Sequence, residues 1–386
     1  MDRSGRRRPR PPAVDPRLRR QPTPRRHPQH GQLLARTPLN PTQIHDRRLL
    51  RADGTPFVWL GDTAWELAHR LTLDQIRHYA ETRAAQGFTL VQFCVLAELD
   101  GLRTPNRNGD LPLLDLDPTR PNPRYLEFVA DCCDVLIERG LVPCVLPTWG
   151  DKVHRLWGVG PEVLDADNAG EFGRRVAETL AGRPLVWMLG GDRPCPEIRH
   201  RETWHALADG LGDTGLKTFH PPGGTGTHQH IGTPPWLDFA CIQSGHTVHT
   251  PPADTRAAEL LQRELAAHDL PVIDAEPLYE AHPKFRPDWK SDYGRSSAEE
   301  VLDIMQAQLD AGAAGVTYGC HAVWQMHDPA RNTTPINRPI APWHKSLQLP
   351  AALAAGQRFG RPQPSHQKSP TAQPNDQVTN PFGDQG

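Results

Sequence analysis

The apolar residues of this chain fall into short continuous runs separated by amphipathic or polar stretches. Residues 185–192 (LVWMLGGD) set the pattern: an apolar run, two glycines, then a single carboxylate. A short apolar run bounded by glycine reads as a strand buried on both faces of a parallel sheet. The same texture recurs at 57–62, 88–96, 141–149, 218–221, 237–246, 271–280 and 315–326, which predicts eight strands. The intervening segments 72–87, 124–140, 165–182, 202–211, 254–268 and 296–312 show helical spacing. In the first of these, Ile76, Tyr79, Ala80 and Arg83 share one face, Thr72 stands at the N-cap position and Gly87 at the stop. Only the fifth crossover, 222–235, shows no helical pattern. Eight strands, with six of the seven crossovers between them helical, predict an α/β fold, a (β/α)₈ TIM barrel, over residues 49–350.

Composition matters mainly at the ends. Prolines number 41 in 386 residues, and nine of them fall by Pro41 in an Arg/Pro-rich stretch without apolar periodicity. Such a stretch buries too little surface to offset its ordering entropy, so 1–48 reads as a disordered extension. Residues 351–386, polar and Pro/Gln-rich at their end, read as a disordered tail. The net charge of −2 conceals a local +10 over 1–48 and −12 over the remainder. An acidic globule argues against a nucleic-acid surface on the folded part. No apolar run reaches the length of a membrane span, and no signal-peptide pattern is visible, so the expected location is cytoplasmic. Seven cysteines, mostly inside apolar runs, read as buried free thiols.

In a barrel, the residues that follow the strands share one mouth. They are Asp62 and Trp65; Glu98 and Asp100; Trp149, Asp151 and Lys152; Asp192; His220; His246; Glu276; and Tyr318, His321 and Trp324. Carboxylates, imidazoles and aromatic rings together suit a carbohydrate, whose C–H faces stack on rings while its hydroxyls take the polar contacts. Asp62 and Asp151 read equally well as helix N-caps, and His220 and His246 as structural residues. Trp59 and Trp187 read as barrel core. Asp192 and Glu276, three strands apart, face each other across the mouth. Two carboxyl groups converging there divide the labour of glycoside cleavage, one protonated and one ionised; a gap of about 5 Å corresponds to the retaining outcome.

The blocks WLGDTAWELAHRLT, LAELDGLRTPN, LPTWGDK, WMLGGDR, PWLDFACIQSGH, DAEPLYE and GVTYGCHAVWQM resemble the apiosidase-like catalytic domain, glycoside hydrolase family 140. The resemblance implies a barrel glycosidase that uses no cofactor or metal. It implies Asp192 in GGD as acid/base and Glu276 in DAEP as nucleophile. The activity it implies is release of apiose from a side chain of the pectic polysaccharide rhamnogalacturonan II. Two alternatives stand beside it: a non-catalytic carbohydrate-binding barrel, and a metal-dependent hydrolase using His228 and His230. No G-x-S-x-G elbow supports serine chemistry.

Overall fold

The computed structural model describes residues 39–246, 253–285, 292–331 and 334–360. Both the Arg/Pro-rich stretch through 38 and the tail beyond 360 lie outside them. Eight parallel strands form the barrel: β1 Trp59–Thr63, β2 Leu90–Leu96, β3 Val142–Thr148, β4 Val186–Gly190, β5 Lys217–His220, β6 Ala240–Gln243, β7 Val272–Asp274 and β8 Gly315–Tyr318. Their order is β5-β4-β3-β2-β1-β8-β7-β6, and a two-residue strand at Thr225–Gly226 pairs antiparallel with β6. At the seam between β5 and β6, Thr218 Oγ1 donates to Phe239 O (2.7 Å) and Thr227 Oγ1 reaches both Phe219 O (2.6 Å) and Cys241 O (3.0 Å). The cylinder is thus nearly closed.

Strand side chains alternate between two faces, and here each face has its own core. Trp59, Leu90, Cys94, Val142, Cys144 and Met188 fill the interior. Leu60, Val91, Phe93, Val145, Leu189 and Val316 pack outward against the helices. Trp187 belongs to the outer set, with its indole N–H donated to Thr214 Oγ1 at 2.9 Å. Several helices start on side-chain caps. Thr72 and Gln75 form a reciprocal box, as do Ser297 and Glu300, and Asn122 accepts from Arg124 N just before Pro123. All seven cysteines are buried free thiols.

Four boundaries differ from the sequence reading. Residues 39–48 are part of the fold: Gln43–His45 and Arg48–Leu50 form a hairpin whose turn residues Asp46 and Arg47 both have positive φ. It covers the N-terminal end of the barrel, with Leu49 in the interior core and Arg47 donating to Leu265 O and His268 O. The fifth crossover contains a short helix, Thr227–Ile231. β8 stops at Tyr318, and His321–Trp324 is one helical turn. Coil does not begin after Pro350, because Pro350–Phe359 is a helix that buries Ala351, Ala352, Ala355 and Phe359.

Candidate active site

Asp192 and Glu276 sit at the C-terminal ends of β4 and β7, and His220, the last residue of β5, touches both. The Asp192 N–H points to His220 Nδ1 at 3.4 Å. On the other side of the ring, Nε2 lies 3.1 Å from Glu276 Oε2, within ion-pair distance though off the line of an aligned hydrogen bond. His246 Nε2 lies 2.9 Å from Glu276 Oε1. One fully buried imidazole therefore spans the gap between the two carboxylate-bearing residues.

The backbone that delivers Asp192 is strained by design of the packing. Gly190, Gly191 and Asp192 all have positive φ. A Cβ at Gly191 would come within 2.9 Å of the Trp149 ring, and one at Gly190 within 2.3 Å of His220 O. Glycine is required at both positions for the chain to turn Asp192 into the mouth. On β7, Asp274 accepts from Glu276 N at 3.1 Å and is itself bound by Gln308. That arrangement fixes the backbone of Glu276 from behind.

The two carboxyl groups differ in electrostatic setting. Burial and the negative charge of Glu276 raise the pKa of Asp192, against the opposing pull of Arg193 and His220. Glu276 is shifted the other way: burial penalises its charge, but the neighbouring imidazoles of His220 and His246 outweigh it and hold the carboxyl low. A third carboxyl, Glu98, accepts from Arg193 Nη2 at 2.9 Å and is pushed up by burial to about 7. Arg193 also reaches Asp192 Oδ2 at 3.0 Å, so it ties the two together.

Aromatic rings wall this centre. Trp65 and Trp149 lie 5.0 Å apart between ring centroids, each within 6 Å of the His220 ring. Tyr279 accepts from Trp65 Nε1 at 3.1 Å and stands 4.3 Å from the His246 ring. Trp324 packs into the same interior cluster. Trp149 Nε1, His246 Nδ1, Gln243 Oε1 and Glu276 Oε2 are buried polar atoms with no hydrogen-bond partner in the protein. Most buried groups of this kind are paired in native proteins.

Other sequence-predicted site residues are placed elsewhere. Asp62 and Tyr318 have the parity of the outward-facing strand residues. Asp62 is fully buried, bound by Arg83 Nε at 2.6 Å and by the Tyr79 hydroxyl. Tyr318 donates to Glu280 Oε2 at 2.6 Å. Asp151 and Lys152 are fully buried against each other, with Nζ 2.7 and 2.8 Å from the two carboxylate oxygens. Asp100 closes a local turn by accepting from Thr104 Oγ1. His321 lies 4.5 Å from the His282 ring, which in turn stacks on His246 at 4.4 Å, and burial pulls His321 down to about 3. Sequence reading missed Arg193, His282 and Trp157. The sequence signal for Arg193 was its place directly after Asp192.

His228 and His230 do not converge. Positions two apart on a helix face opposite sides. His228 is exposed beside Thr233, whereas His230 is buried against Thr225 Oγ1 at 2.9 Å. Among the described residues no group of three or more His, Cys, Asp or Glu side chains is arranged to hold a metal ion. Among them, too, no helix is long and apolar enough to cross a membrane.

The sequence profile of the apiosidase-like catalytic domain matches residues 44–357. The chain belongs to that family. Its membership makes it an enzyme of the glycoside hydrolase type. No curated protein matches the apiosidase-like chain. Among solved structures it is similar to a glycoside hydrolase at 24% identity, TM-score 0.73, covering 83% of this chain and 74% of the other. A glycoside hydrolase family 5 protein from Bacteroides vulgatus ATCC 8482 is also 24% identical, with TM-score 0.71 and coverage of 82% and 71%. A GH5_18 protein from Streptomyces cattleya, solved with Manb1-4GlcNAc, is 18% identical, with TM-score 0.53 and coverage of 78% and 80%. These likenesses establish the barrel fold.

Proposed function

We propose that this chain is a retaining glycoside hydrolase, with Asp192 as acid/base and Glu276 as nucleophile. The sugar released is a terminal pentose, apiose by family, from a plant-derived oligosaccharide or glycoside. The observation that carries the reading is the placing of His220 between the Asp192 backbone and the Glu276 carboxyl group, with the two carboxyl groups shifted in opposite directions. Asp192 is biased toward holding a proton and Glu276 toward losing one. A Glu276 oxygen attacks the anomeric carbon as the glycosidic C–O bond breaks and Asp192 gives its proton to the leaving oxygen. In the ester so formed Glu276 carries no charge, which removes the main electrostatic brake on Asp192 ionisation. Asp192 then takes a proton from water while the water oxygen displaces Glu276.

The test uses Asp192→Ala and Glu276→Ala on an apioside with an activated leaving group. Removing the acid/base lowers turnover by about 10² to 10⁴. Azide restores it in Asp192→Ala, giving a glycosyl azide of retained configuration, because azide needs no general base. In Glu276→Ala azide gives the inverted product. Near-normal hydrolysis in either variant would sink the assignment, and sugar binding without any hydrolysis by the wild type would leave a binding barrel in its place.

A further inference from the structure

We propose that Trp157 is the platform of a leaving-group subsite, and that the leaving group it accepts carries a ring with an apolar face within two bonds of the glycosidic oxygen. This inference rests on the glycosidase reading, with Asp192 as the acid. Among the described residues Trp157 is the one exposed tryptophan, at 63%, and Leu156 and Val159 beside it are also exposed. An indole held in water is unfavourable unless something covers it in the working state.

Its position is fixed. One face of the ring lies over the Arg193 guanidinium at 4.5 Å, and Nε1 donates to Asp192 Oδ2 at 3.3 Å. The loop beneath is tied down at several points. Gly160 N donates to Asp151 Oδ2 (2.7 Å), Arg155 N to Glu162 Oε1 (2.7 Å) and Arg193 Nε to Arg155 O (3.3 Å). Gly158 sits so close to Asp151 that a Cβ there would be 2.4 Å from the Asp151 Cβ. The buried Asp151–Lys152 pair is thus the foundation of this loop. With one indole face on Arg193 and an edge on Asp192, the remaining face is turned to solvent beside the proton donor.

Chemistry then specifies the occupant. The proton of Asp192 goes to the glycosidic oxygen, so a ring at the head of the leaving group lies one or two bonds from that oxygen, beside the carboxyl group. The free face of Trp157 is an apolar surface at that distance. A pyranose C–H face or an aromatic aglycone stacks there, whereas a small acyclic alcohol gains nothing from it.

The experiment compares kcat/KM for benzyl, pyranosyl and ethyl apiosides, whose leaving oxygens need similar help from an acid. In Trp157→Ala the benzyl-to-ethyl and pyranosyl-to-ethyl ratios fall about tenfold, the size of a lost stacking contact. Trp157→Phe retains most of both ratios, although it too lacks the N–H to Asp192. A fall in one ratio alone identifies the ring type that the subsite takes. Ratios equal to wild type in Trp157→Ala, with Asp192→Asn inactive on the same substrates, overturn the subsite and leave the glycosidase reading standing. Absence of wild-type turnover on all three substrates, or full activity in Asp192→Asn, removes both.

Discussion

Glu276 depends on two imidazoles to stay ionised in a buried setting, and one of them can be removed without disturbing the strand ends. His246 meets Glu276 Oε1 at 2.9 Å and packs between His282 and Tyr279. Burial acts to raise the Glu276 pKa, and His220 and His246 hold it down. Replacing His246 by Ala takes away part of that counterweight, so the folded-state pKa of Glu276 rises. The nucleophile must be ionised, so the acid limb of the kcat/KM–pH profile moves to higher pH. A shift of about one pH unit corresponds to about 1.4 kcal/mol of lost interaction. A pH profile of His246→Ala superimposable on wild type would show that His220 alone sets the charge. At this scale the sequence reading named Asp192, Glu276, Trp65 and Trp149, which stand within two residues of a strand end and gather around His220. It misled for Asp62 and Tyr318, because both lie within their strands, where the alternation still decides the face. Trp59 and Gly61 have the interior parity, so Asp62 faces the helices and pairs with Arg83. Asp151 and Lys152 read as mouth residues, Asp151 equally as a helix N-cap, whereas the fold buries the two against each other.

At the scale of the element, length and register were legible where apolar runs were long, and obscure where a loop chemistry took over. β8 ends at Tyr318, six residues before Trp324, because Cys320 begins a helical turn that is stabilised by contacts from Glu280 and Asn337. Pro350–Phe359 was obscured by its sequence neighbours, a polar proline-rich tail that hides an alanine-rich helix. That helix is seated by a contact invisible to pattern reading. Gly356 lies against the C-terminal turn of the helix Leu73–Ala85, where a Cβ would stand 1.5 Å from Gln86 O and 3.1 Å from the Gly87 Cα. Glycine to alanine in a helix interior ordinarily stabilises by about 1 kcal/mol. Here the sign reverses, since the helix must move off Gln86, and with it the bonds from Arg83 and Gln86 to Leu347 O. Gly356→Ala is expected to lower stability by about 2 kcal/mol, the range of core overpacking. A lower denaturant midpoint at constant m value would confirm this, and a higher midpoint would mean the two helices are not in contact.

Taken as a whole molecule, the barrel separates its chemistry from its closure. Asp192, His220 and Glu276 stand at the C-terminal ends of their strands, while the 43–50 hairpin seals the opposite end. Asn40 Nδ2 bonds Leu185 O at 3.2 Å just before β4 begins, and Leu49 enters the interior with Phe57 and Trp59. This polarity is common to (β/α)₈ enzymes, in which one face carries function and the other carries stability. It predicts a variant that changes stability while leaving catalysis alone. Leu49 is 2% exposed, so Leu49→Ala removes packed methyl groups and leaves a cavity that the rigid strand ends cannot collapse onto. The loss expected is about 2 to 5 kcal/mol. The interior side chains between Leu49 and the mouth include the uncharged Cys94, Cys144 and Met188. With this packing between the two ends, kcat/KM per folded molecule is expected to stay within a fewfold of wild type, while the thermal midpoint falls by several degrees. An equal fall in both would mean that the hairpin governs the geometry of the carboxyl pair, and that the two ends of the barrel are one cooperative unit.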